Sequence, residues 1–95
     1  MSEMKFKEKK YKCPCCGNYT LDVMEGHDIP FFEICEVCGW MYDEVDQEHP
    51  DEIWGGNRVS LNAAKENYKK IGRIRPDIDW CRPPLDSELP ENNGE

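Results

Sequence analysis

Three observations predict a small metal-stabilised α+β domain. The chain has 95 residues, it carries two C-x2-C-G segments at Cys13–Gly17 and Cys35–Gly39, and one amphipathic helical pattern occupies its C-terminal half. A chain of that length makes one domain and buries a modest share of its surface. Hydrophobic residues are 38% and charged residues 34%, so the interior is lean and needs help beyond apolar contact.

Lys5–Lys12 is polar apart from Phe6 and Tyr11. Residues 1–10 therefore read as a flexible basic N-terminus, with order beginning near Tyr11 as a strand that enters the first cysteine pair. Cys13–Asn18 is a tight turn. Tyr19, Leu21 and Val23 alternate with Thr20, Asp22 and Met24, which is the period-two pattern of a strand. Glu25–Pro30 is a loop, Phe31–Ile34 a second short strand leading into Cys35–Gly39, and Trp40–Tyr42 a third. Two zinc knuckles separated by β-hairpin strands make a zinc-ribbon or rubredoxin-like layout. Asp43–Glu52 holds six acidic residues in ten and reads as an exposed loop closed by His49-Pro50.

Gly55-Gly56-Asn57 turns the chain into one helix over about 60–71. Leu61, Ala64, Tyr68 and Ile71 recur at helical spacing as one apolar stripe. Ser60, or alternatively Asn57, supplies an N-cap oxygen for free backbone N–H groups. Lys69 and Lys70 suit the negative end of the helix dipole, and Gly72 suits a left-handed stop. Glu66 and Lys70 form an i,i+4 pair. Residues 73–84 read as extended, with Trp80 anchored on the core. The domain thus spans 11–84, and 85–95 reads as a disordered acidic tail.

The chemistry concentrates in the cysteines. Cys13, Cys16, Cys35 and Cys38 form two C-x2-C pairs with eighteen residues between them, a spacing associated with four-cysteine metal sites. Two thiolates three residues apart in a tight turn can bind one ion while backbone N–H groups point at the sulfurs. Gly17 and Gly39 follow the second cysteine of each pair, where a left-handed backbone costs glycine least. One structural Zn2+ is the first choice, because a closed tetrahedral thiolate set is its usual structural site. Its binding free energy, on the order of 10 kcal/mol, becomes folding free energy and offsets the lean core. Iron is the alternative metal, since rubredoxin-like sites also use paired C-x2-C-G turns.

Cys15 lies between two ligands, so its side chain is expected to point away. It is either a small residue at a tolerant position, a spare ligand, or a thiol activated by the site. Cys81 reads as incidental, and His27 and His49 as surface residues. Thioredoxin-like use of Cys13 and Cys16 is disfavoured, because that chemistry needs a helix start after the motif and none is expected after Gly17. No dinucleotide fingerprint, phosphate loop, HExxH or nucleophile elbow occurs. A closed zinc site lacks the open position that catalysis needs, so the chain reads as no enzyme.

Twelve Lys and Arg stand against twenty Asp and Glu, a net charge of −8, which disfavours a globally basic nucleic-acid binder. Residues 13–57 contain eleven acidic residues and no Lys or Arg, whereas residues 58–82 carry seven cations against three acids. No stretch approaches the roughly 20 apolar residues of a bilayer span. The N-terminus has no apolar run of the secretory type, so a cytoplasmic location is expected. A reducing compartment favours metal ligation of the six cysteines over disulfides.

In its ordered combination of motifs the chain resembles the bacterial cysteine-rich CPCC family. The resemblance rests on Cys13-Pro14-Cys15-Cys16-Gly17 and Cys35-Glu36-Val37-Cys38-Gly39-Trp40. It continues through Asp43, Gln47, Gly55-Gly56-Asn57, Ser60-Leu61, Ala64, Asn67-Tyr68 and Gly72, and spans about Tyr11 to Pro84. Lys65 departs from it, where Arg is expected after Ala64. The resemblance implies a small bacterial protein with a zinc-ribbon-like core and supplies no reaction. Trp40 is then expected to cover the metal or fill the core beside it, and the polar atoms of Asn67 and Tyr68 to bond the acidic loop.

The functional expectation is a non-catalytic structural-zinc module that acts by protein contact. The acidic face 43–52, with Trp54 at its edge, would meet a basic partner in the manner of an immunity or inhibitor protein. Two alternatives stand beside it. One is a nucleic-acid-binding zinc ribbon that uses Lys65, Lys69, Lys70, Arg73, Arg75 and the N-terminal lysines. The other is a rubredoxin-like iron electron-transfer protein.

Overall fold

β1 (Tyr11–Lys12) and β2 (Tyr19–Leu21) form an antiparallel hairpin around the first cysteine turn, with Tyr11 opposite Leu21 and Lys12 opposite Tyr19. This computed structural model describes residues 5–95. Backbone contacts resume before β1: the Lys7 N–H donates to the Val23 carbonyl at 2.7 Å, Phe6 bridges Met24, and the Glu25 N–H donates to the Lys5 carbonyl at 3.0 Å. Part of the segment read as a flexible N-terminus is thus held from Lys5 to Lys7; residues 1–4 of that segment lie outside the described residues. The reason is that Val23–Glu25 carries backbone groups that need partners, and the chain just before β1 already runs antiparallel beside them.

The second cysteine turn is flanked by less sheet than the sequence predicts. Phe31–Ile34 and Trp40–Tyr42 are not strands; they share one bridge, Ile34 to Met41, extended by Cys35 N–H to Trp40 O at 2.9 Å and Tyr42 N–H to Glu33 O at 2.8 Å. Phe32 has φ +50°, a left-handed value that ends any strand before it starts.

Two helices follow. α1 (Glu44–Glu48) lies where an exposed acidic loop is expected. Asp43 caps it, its Oδ1 accepting from the Val45 N–H at 2.9 Å. Its inward residue is a carboxylate, Asp46, which is fully buried and accepts from Asn57 Nδ2 at 3.1 Å. Hydrophobic periodicity is blind to such a helix, because its buried face carries no apolar side chain.

α2 (Leu61–Ile71) matches the expected helix. The Ser60 Oγ accepts from the Ala63 N–H at 3.1 Å, and Gly72, at φ +76°, sends its N–H to the Tyr68 carbonyl at 2.8 Å. Leu61 and Ala64 are buried and Tyr68 half-buried, but Ile71 is exposed. Ile74 and Ile78 complete the apolar surface in its place. On the outer face Lys69 pairs with Glu66 at i,i+3, where Glu66 and Lys70 are expected to pair. Asn67 Nδ2 donates to the Ile74 carbonyl at 2.8 Å and Tyr68 Oη accepts from Asn18 at 3.4 Å, so neither reaches the acidic segment.

The core joins Leu21, Val37, Trp40, Leu61, Ala64 and Ile74 to the cysteines, with Trp40 fully buried. Trp80 is not part of it; the residue is 52% exposed, and the buried side chains of this stretch are Ile74 and Ile78, the latter packed beside Gly39. The acidic tail read as disordered instead makes two 3-10 turns, Asp86–Glu88 and Pro90–Asn93. Glu88 explains the difference. It is buried, grips Arg82 through both oxygens at 2.7 and 2.8 Å, and accepts from the Leu85 N–H at 2.8 Å.

Candidate metal centre

Both cysteine turns are built alike. In the first, the Gly17 N–H donates to the Cys13 carbonyl at 2.9 Å and the Cys13 N–H to the Asn18 carbonyl at 2.8 Å. In the second, Gly39 donates to Cys35 at 2.8 Å and Cys35 to Trp40 at 2.9 Å. Gly17 and Gly39 adopt φ +81° and +90°, the left-handed conformation expected of them.

These turns bring Cys13, Cys16, Cys35 and Cys38 together, their four sulfurs all within 4.8 Å of one another. Cys13–Cys38 and Cys16–Cys35 are each 3.7 Å apart. A tetrahedron with metal–sulfur bonds of about 2.3 Å has edges of about 3.8 Å, so the donor set fits one four-coordinate ion. Cys13, Cys35 and Cys38 are fully buried and Cys16 half-buried. The four cysteines could hold one metal ion, and each turn supplies half of its ligands.

Further donors converge on the sulfurs. Thr20 Oγ1 donates to Cys35 Sγ at 2.9 Å, and the Trp40 N–H to Cys38 Sγ at 3.4 Å. Such outer contacts orient thiolates and stabilise their charge. Hydrogen bonds from Cys13, Cys16 and Cys38, with Thr20 adding to them, hold Cys35 far below the ordinary thiol range. Contacts with Cys13, Cys15, Cys16 and Cys35, followed by burial, push Cys38 far above it. A cation held at the centre would favour the ionised form of all four sulfurs, because its charge stabilises each thiolate.

The remaining candidates fall outside the set. Cys15, expected to turn away, is buried beside it and contributes to raising Cys38. Cys81 is half-buried, its thiol raised by burial and by Cys35. His27 and His49 are exposed, as expected. The sequence reading missed Thr20, which carries no signal for sulfur contact, and Asn57, whose buried amide ties Met41, just past the second turn, to α1.

A family model described as Cysteine-rich CPCC matches residues 11–88. The chain belongs to the cysteine-rich CPCC family. Its family segment takes in both cysteine turns, both helices and the Arg82–Glu88 clamp, four residues beyond the boundary read at Pro84. No curated protein and no solved structure matches the chain. Among the described residues, no helix is long and apolar enough to cross a membrane.

Proposed function

We propose that this family member is a non-catalytic module in which one structural zinc ion, held by Cys13, Cys16, Cys35 and Cys38 in two zinc knuckles, stiffens a surface used for protein contact. The observation that carries it is the closure of the sulfur set. All four donors are cysteines and three are fully buried, which leaves no coordination position for a substrate or an activated water. Zinc is favoured over iron on the preference of that ion for closed structural thiolate sites; the sulfur geometry suits either. Metal analysis of the purified chain tests this directly: one zinc per chain and a colourless solution support it, while visible absorbance from thiolate-bound iron overturns it.

The proposed contact surface lies on the acidic segment 43–52 and faces a basic partner, as an immunity-like or inhibitor-like protein would. Several of its carboxylates are engaged within the molecule: Asp43 caps α1, Asp46 is buried, Asp51 accepts from Asn62, and Glu52 meets His49 and Trp54. Glu44 and Glu48 are exposed and have no ion pair among the described residues, next to exposed Val45, Ile53 and Trp54. Reversing Glu44 and Glu48 to Lys, with metal content unchanged, removes capture of a basic partner from host extract on this reading. Undiminished capture sinks the acidic-face assignment. The nucleic-acid reading has less support, since Lys69 and Arg75 are paired with Glu66 and Asp77.

A further inference from the structure

The pleat of the extended hairpin sorts its side chains onto two unlike faces. Phe6 and Met24, bridged to each other, line a groove of about 340 Å³ together with Ile29 and Phe31. Lys7 and Val23, one residue further along each segment, line a different cleft that also takes Lys9, Lys10 and Lys12. Lys7, Lys9 and Lys12 thus line the other cleft, while Lys10 reaches over to pair with Asp22, which with Glu33 supplies the carboxylates of the groove. The one imidazole there, His27, is exposed.

Phe31 lines this groove, and Phe32 lines the cleft beside it with Lys10, Glu33 and Arg82; neither side chain joins the core. Phe31 is 80% exposed and Phe32 53%, their rings meeting edge to face at 5.1 Å. Phe32 also holds φ +50°, a left-handed backbone that a bulky side chain rarely adopts. Backbone strain of that kind concentrates where a surface is used. Exposed apolar side chains beside a groove, with a polar border, mark contact sites.

We infer that this groove, walled by Phe6, Met24, Ile29 and Phe31, docks a partner segment that presents an apolar side chain flanked by Lys or Arg. The charge of the partner follows from the border. Of the groove's two carboxylates, Glu33 carries no ion pair among the described residues and Asp22 is matched internally by Lys10, and no Lys or Arg occurs anywhere in 13–57. A second copy of the chain is the poorer occupant, because a two-fold contact would set these same carboxylates against themselves. The inference rests on the protein-contact reading, and on residues separate from the acidic segment at α1.

The test uses the metal-loaded full chain and short synthetic peptides. The probe carries a Leu-Phe pair between two Lys-Arg pairs; one control replaces every cation by Glu, the other replaces Leu-Phe by Ser-Ser. Amide shifts confined to Phe6 and residues 22–34 are expected with the probe alone. Affinity by fluorescence anisotropy should fall about tenfold or more in Phe31→Ser and in Glu33→Lys, the loss of one anchor. Phe31 is too exposed for its removal to disturb the fold, and metal content checks this. Glu44→Lys with Glu48→Lys should leave peptide affinity unchanged. Equal binding of the Glu peptide, no shift in 22–34, or binding indifferent to both groove variants overturns the inference. Shifts at 43–52 instead overturn the groove and leave the contact-module reading standing. Concentration-dependent shifts at 22–34 without peptide, with a dimer by sedimentation, assign the groove to self-association.

Discussion

Asn57 and Asp46 bury their side chains against each other, the amide Nδ2 donating to the carboxylate at 3.1 Å. The same amide donates to the Met41 carbonyl at 2.9 Å and accepts from the Met41 N–H at 2.7 Å. One side chain thus ties α1 to the strand-like segment that leaves the second cysteine turn. Replacing Asn57 by Ala strands a buried carboxylate and two backbone groups, so a loss of about 3 kcal/mol is expected. Urea denaturation with the metal bound measures it. A cost below that of an exposed Asn→Ala change would show that the network contributes nothing.

Removing the metal should undo the fold. The sulfur cluster lies inside the core and binding is worth on the order of 10 kcal/mol, comparable to the stability of a whole domain. Strong chelator under reducing conditions should abolish the cooperative melt seen by circular dichroism, and Cys35→Ser should behave alike. An unchanged melt rejects a structural role for the ion.

Gly17 and Gly39 are equivalent in the sequence but not in space. Both have a left-handed backbone, which costs an alanine about 1–2 kcal/mol. A Cβ on Gly39 would also lie 3.0 Å from Ile78 Cδ1, whereas one on Gly17 meets only the flexible Lys12 Cε at 3.8 Å. Gly39→Ala should therefore exceed Gly17→Ala by about 1 kcal/mol or more, the added cost of overpacking. Equal losses would show that Ile78 yields freely.

Arg82 holds the Glu88 carboxyl below the usual carboxylate range. Because the folded value lies below the unfolded one, this pair stabilises the tail fully above the unfolded value, and the contribution is lost as pH falls through the folded one. Carbon-detected titration of the Glu88 carboxyl should show the depressed midpoint, and Arg82→Ala should return it toward normal. Coincident midpoints in the two proteins would mean that the clamp is open in solution.

Phe32→Gly should stabilise the chain by up to about 1 kcal/mol, since it relieves a left-handed phenylalanine whose ring is half in water. Thermal melting at fixed metal concentration reads this. A destabilised variant would mean that the Phe31–Phe32 ring pair supports the fold.

The cluster and α2 were legible in the sequence because each is encoded locally. A C-x2-C-G turn needs its cysteines and its glycine at fixed offsets, and Ser60 and Gly72 bracket an apolar stripe. Elements that depend on distant polar partners were not legible. α1 is inward-facing through Asp46, whose partner Asn57 comes eleven residues later; the tail is held by Glu88 reaching Arg82. Neither pair leaves a period in the hydrophobic pattern. Trp80 shows the converse: its size and apolar surface suggest burial, yet the buried side chains of that stretch are the smaller Ile74 and Ile78.

The second cysteine turn also serves as the landing for the distal half of the chain. Ile74 donates its N–H to the Cys38 carbonyl at 2.9 Å, and Arg82 reaches the Glu36 carbonyl at 3.1 Å. Scavenging of the bound ion would thus release residues far downstream that never touch it, and expose them to proteolysis. The lifetime of such a chain in a cell would follow the local supply of metal as closely as its own rate of synthesis.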